Sequence, residues 1–143
     1  MSQYVNFFIR HGNDLLSIAD YSRSSTLYGV MQDAPYEKLR EYSYEELQLK
    51  ISELNTSKTA YLKQITRYHQ HIKVICEMND PIADKLDIIA SIDSDIEELQ
   101  QEVDAIDRQM IELDFIANLV YQGYFIYAGI EVGEPTLQDI VEK

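Results

Sequence analysis

The chain has 143 residues, a formal net charge of −13 and a hydrophobic fraction of 45%. That length fits one domain, and the apolar content, which includes 11 Tyr, argues against disorder. So negative a chain resists approach to phosphates and has no basic stripe to compensate, which excludes direct nucleic-acid binding as an expectation. No apolar run approaches the roughly 20 residues that span a bilayer, so no membrane contact is expected, and the first residues lack the blocks of a secretory leader. The lone Cys76 permits no internal disulfide, which fits a reducing compartment and makes the cytoplasm the expected location.

From Tyr4 to His11, Val5, Phe7 and Ile9 alternate with Tyr4, Asn6 and Phe8. Gly12-Asn13-Asp14 then supplies turn chemistry, and Leu15 to Tyr21 resumes an extended pattern. Together these predict a β-hairpin. Ser24 or Ser25 is positioned to cap a short helix carrying Leu27, Val30 and Met31, which must stop near Ala34-Pro35 because the residue before proline avoids helical geometry.

Ser43 followed by Tyr44-Glu45-Glu46 predicts a capping box, with Tyr42 and Leu47 placed as a hydrophobic staple. From there Leu47, Ile51, Leu54, Tyr61, Ile65, Tyr68, Ile72 and Ile75 recur at steps of four and three, interrupted by Lys58, which is a heptad seam. The seam ends at Met78-Asn79-Asp80-Pro81, where Asn suits a left-handed helix end, Asp a cap and Pro the first helical position. A second helix carries Ile82, Leu86 and Ile89, then a three-residue slip that reads as a stammer, then Ile92, Ile96, Leu99, Val103, Ile106, Met110, Leu113, Ala117 and Val120. So short a connection makes the helices antiparallel, each roughly 50 to 60 Å long.

Tyr124 to Val132 predicts a third strand before Gly133-Glu134-Pro135. Two strands alone are marginal in water, so this one is expected to pair with the N-terminal hairpin at the open end of the helices. The expected fold class is α+β and predominantly helical. A long antiparallel coiled-coil helical hairpin (43–121) carries a small antiparallel sheet and short helix (1–42 and 122–135), all in one domain, 1–143.

Charge is unevenly spread. From Asp84 through Asp114 eleven acidic residues face only Lys85 and Arg108, and between Lys50 and Lys73 five basic residues face only Glu53. Lys50 and Lys58 sit at the seam and are expected to meet acids of the opposing helix, while Lys63, Arg67 and Lys73 project to solvent. Most carboxylates of the second helix are then left unpaired. Asp93, Asp95, Glu97, Glu98, Glu102, Asp104 and Asp107 are the candidate partner-binding residues. Their competing explanation is a solvated face.

No pattern supports catalysis, a metal or a cofactor. His69 and His71 project about 200° apart on a helix and cannot share a metal. Counting a calcium loop from Asp93 places Glu98 where glycine is required and Asp104 where a bidentate Glu is required. Ser22, Ser24 and Ser25 near Arg23 lack a glycine elbow, Cys76 fits an inert thiol better than an activated one, and Gly123, Gly129 and Gly133 form no phosphate loop.

The expected function is therefore non-catalytic: a protein-interaction module whose acidic helical face binds a basic surface on another protein. A nucleic-acid-handling enzyme offers such a surface, so a phage or mobile-element inhibitor of a host defence enzyme, of the anti-CRISPR or DNA-mimic type, fits this size and charge. The alternative is a structural coiled-coil adaptor. Leu49, Leu62 and Val74 lie off the seam and offer apolar surface for a homodimer.

Overall fold

The computed structural model describes residues 4–18 and 26–141. In chain order these form β1 (Val5–His11), β2 (Asp14–Ser17), β3 (Arg40–Tyr42), α1 (Tyr44–Glu77), α2 (Ile82–Tyr121) and β4 (Ile126–Ile130), with a 3-10 turn at Leu137–Asp139. The class is α+β: two long helices pack against each other, and the strands form one antiparallel sheet in the order β2-β1-β4-β3. The chain divides into two compact units, Met1–Ser52 with Arg108–Lys143, and Glu53–Asp107.

In the first unit, alternation builds the hairpin as expected. His11 pairs with Asp14 across Gly12-Asn13, and Gly12 has φ +62°, as the first central residue of a type II′ turn requires. Strand β4 pairs with β1 through Val5–Ile130 to Ile9–Ile126. It is shorter than Tyr124–Val132 because α2 ends late. Gly123, at φ +104°, donates to the Val120 carbonyl, and Tyr124 donates to that of Leu119, a Schellman close that uses up the residues before Ile126.

Two differences from expectation stand out here. Strand β3 pairs with the far side of β4, through Arg40–Ala128 and Tyr42–Ile126, and its three residues were too few to register as a period. Leu27, Val30 and Met31 form hydrogen-bonded turns rather than a helix, held by bonds to the Leu27 carbonyl, although Leu27 and Met31 are fully buried. The proposed caps Ser24 and Ser25, and the end of the extended stretch at Tyr21, lie outside the described residues.

Alternation also gives the sheet two faces. Val5, Phe7, Ile126, Ala128, Ile130 and Tyr42 share one, and it is buried, as are Leu47, Leu113, Ile116 and Ala117 on the helical parts of this unit. On the other face Phe8, Tyr127, Leu39 and Val132 form a second apolar cluster, joined by Leu15 and Ile140. Leu39 binds the C-terminal segment directly, donating to the Asp139 carbonyl and accepting from Val141. Gly129 lies beneath this layer, and a Cβ there would stand 1.9 Å from the Lys38 carbonyl oxygen.

The start of α1 follows its capping box. Glu46 donates its amide to Ser43 Oγ at 3.2 Å, Ser43 returns its own to Glu46 Oε1 at 3.3 Å, and the staple pair Tyr42 and Leu47 is buried. Arg40 bridges Asp33 and Glu46, and its guanidinium lies 4.4 Å from the Tyr42 ring centre. Lys50 does not reach the opposing helix. It donates to the Val30 carbonyl and to Asp33, both at 3.0 Å, because the turn before β3 brings those acceptors within reach of its side chain.

Tyr42 also donates to Asp33 at 3.2 Å, and burial, with the Asp33 charge adding to it, pushes its phenol well above the ordinary value of 10.0. The folded chain therefore holds this proton more tightly than the unfolded one. That contribution to stability is whole below about pH 10 and is lost as the pH climbs above it. Tyr42→Phe is expected to show a shallower decline of melting temperature above that pH than the wild type. Equal slopes in a melting series would show that Tyr42 does not supply it.

In the second unit, Ile65, Ile75, Ile92, Val103 and Ile106 are buried, and Lys58 donates to Asp107 at 2.7 Å. Toward the turn, Lys85 donates to the Cys76 carbonyl at 3.3 Å, so the helices run antiparallel. The stammer is absent. Ile82 and Leu86 are 74% and 60% exposed, whereas Lys85 and Ile89 are half-buried. Steps of four and three therefore run unbroken from Lys85 through Ile89 and Ile92 to Val120. The apolar residues suggested a slip because the position before Ile89 in that spacing holds a lysine, half-buried and with its ammonium bonded to a carbonyl. Asn79 does not adopt a left-handed conformation; α1 closes instead with Met78 donating to the Ile75 carbonyl.

Candidate functional site

Helix α2 advances about 100° per residue, so its seam residues Ile92, Ile96, Leu99, Val103 and Ile106 share one side. The same rotation divides the acidic residues. Asp95, Glu98 and Glu102 run along one flank of the seam, and Asp93, Glu97 and Asp104 along the other, about 150° away. Six of the seven candidates are exposed, but no single flat surface can touch both rows. Asp107 is half-buried and paired with Lys58, so it is not one of the unpaired carboxylates that were expected.

The Asp95–Glu98–Glu102 row borders a groove of about 400 Å³. Its other wall is Gln64 and Tyr68 of α1, one turn apart, and Leu99 contributes its apolar floor. Steps of three and four residues space the carboxylates by about 5–6 Å at their Cβ atoms, close enough for like charges to repel. Among the described residues no cation lies within ion-pair distance of these three acids. On the opposite row Asp104 accepts from the Gln100 side-chain amide at 3.2 Å.

Such an arrangement is suited to receiving cations. A guanidinium or ammonium placed between two carboxylates relieves their repulsion, and an arginine lying on Tyr68 gains a ring contact as well. It does not suit a single metal ion: among the described residues no group of three His, Cys, Asp or Glu side chains stands close enough to hold one. Nor does any helix among them have the length and apolarity to cross a membrane. Gln64 and Tyr68 were missed because their role depends on which flank of α1 faces the acidic row, and the seam positions alone could have assigned that. Lys63, Arg67 and Lys73 are exposed, as expected.

No protein-family model matches the chain, and no curated protein or solved structure matches it either.

Proposed function

We propose that this chain is a non-catalytic protein-interaction module that receives a basic segment of another protein in the groove bordered by Asp95, Glu98 and Glu102. The observation that carries this reading is the row of three exposed, like-charged carboxylates, paired with no cation among the described residues, against the wall of Gln64 and Tyr68. Holding three like charges along one flank opposes folding by a few tenths of a kcal/mol per pair, and a cationic partner removes that opposition. The unbroken heptad spacing supports winding of α1 and α2 as an antiparallel coiled coil, which gives the groove a rigid base. In its most specific form, the partner is a nucleic-acid-handling enzyme whose basic channel is blocked, as a phage or mobile-element inhibitor of host defence would block it.

The test compares D95N/E98Q/E102Q with D93N/E97Q/D104N, each used as bait in host lysate. The wild type is expected to retain a nucleic-acid-binding protein that excess DNA displaces, with affinity falling as salt rises. Neutralising the groove row should weaken that binding by at least about tenfold, or ~1.4 kcal/mol, and neutralising the opposite row should change it little. A second reading, homodimeric assembly as an adaptor, is favoured by the exposed apolar residues Val74, Met78, Ile82 and Leu86 near the turn between the helices. Salt-independent capture that the groove variant leaves undiminished would replace the first reading with this second one.

A further inference from the structure

The first unit holds a cleft that none of this uses. It opens on the sheet face that carries Phe8 and Tyr127, in the part that the segment from Val132 to Ile140 leaves uncovered, and has a volume of about 520 Å³. That volume is in the range of sites for small molecules.

Strand register dictates its layout. Arg10 on β1 bonds through its backbone amide to the Phe125 carbonyl, and Glu41 on β3 pairs with Tyr127 on β4. Phe125 and Tyr127 therefore form a central aromatic strip, with a cation on one side and an anion on the other. Two inter-strand steps and a two-residue offset separate the Arg10 and Glu41 backbones by roughly 12 Å, a span that their long side chains shorten.

Three observations mark the cleft as built for a ligand. Phe125 is 57% exposed and Tyr124 49%, although the sheet has apolar clusters on both faces that could have absorbed them. The Arg10 guanidinium is steadied by donating from Nε to the Gly12 carbonyl at 3.1 Å, which leaves its outer nitrogens directed elsewhere. In a chain with 25 acidic residues, no carboxylate among the described residues pairs with Arg10, and no cation among them pairs with Glu41.

We propose that this cleft binds a small planar molecule with an acidic group at one end and a protonated or N–H-bearing nitrogen at the other. The ring lies on the exposed Phe125, beside the buried edge of Tyr127, the acidic group is gripped by Arg10, and the nitrogen donates to Glu41. The two charges of the site are complementary to the two ends of one ligand, so a purely anionic ring would meet repulsion at Glu41 and a purely cationic one at Arg10. The assignment is independent of the acidic groove on the helices.

The test uses the full chain labelled with nitrogen-15 and three probes: 4-(aminomethyl)benzoate, benzoate and benzylamine. The bifunctional probe is expected to shift the amides of Gly12, Gly123 and Phe125 and to bind at least about tenfold more tightly than either half. R10M should reduce its affinity to that of benzylamine and abolish benzoate binding while leaving benzylamine unchanged. E41Q should do the reverse. Neither side chain takes part in strand pairing, and unchanged amide positions elsewhere in the spectrum report an intact fold. Absence of shifts at those three amides, or shifts that both variants leave unaltered, would overturn the proposal.

Discussion

Gly129→Ala is expected to destabilise the chain by more than about 3 kcal/mol, lowering the melting temperature by roughly 10 °C or more. The added methyl would overlap the Lys38 carbonyl oxygen, at 1.9 Å, and the Val132 side chain, at 2.6 Å. A flexible side chain could yield, but a carbonyl cannot move without its peptide. That peptide lies between Glu37, which donates to the Ile130 carbonyl, and Leu39, which is tied to Asp139 and Val141. The effect is steric, since Gly129 does not have a positive φ. A melting temperature within about 2 °C of the wild type would mean that the layer over the sheet is looser than described.

Ile92→Asp and Leu86→Asp should differ by more than about 3 kcal/mol, although the two residues are similar in size and polarity. Ile92 is 7% exposed, so aspartate there places an unpaired charge in the packed seam. Leu86 faces solvent, and a charge at that position should change stability by no more than about 0.5 kcal/mol. Denaturant titration of the two variants reads the phase of α2 directly. Equal losses would restore the stammer and return Leu86 to the interface.

What could be read from the residues followed the strength of the local signal. The capping box at Ser43, the hairpin about Gly12 and the helical period carry their physics within a few residues of each other, and all three are present in the structure. Strand β3 was illegible because it exists only through its pairing with β4, which is far away in sequence. The seam before Ile89 misled because a half-buried position held a charged residue and exposed ones held Ile82 and Leu86. Hydrophobicity is a proxy for burial, and here the two part. The acidic residues were visible as a count, but a count carries no angle, and it is the angle that separates Glu98 from Glu97. The Arg10–Glu41 cleft had no sequence signature, since its two charges meet only through the strand order.

The sheet also sets a timetable for folding. Tyr4 and Glu131 exchange two hydrogen bonds, and Asn6 accepts from the amide of Val132, contacts that span 126 and 127 residues. During synthesis β1 emerges first, but its partner β4 follows only after both helices have been made. Until then β1 and β2 form an isolated two-stranded hairpin, which is marginal in water and leaves an apolar edge unpaired. The helices depend on contacts nearer in sequence and can form during that interval. Stalled or shortened synthesis that stops before Ile130 would thus release a chain with its helices paired and an uncovered strand edge, the state most exposed to aggregation.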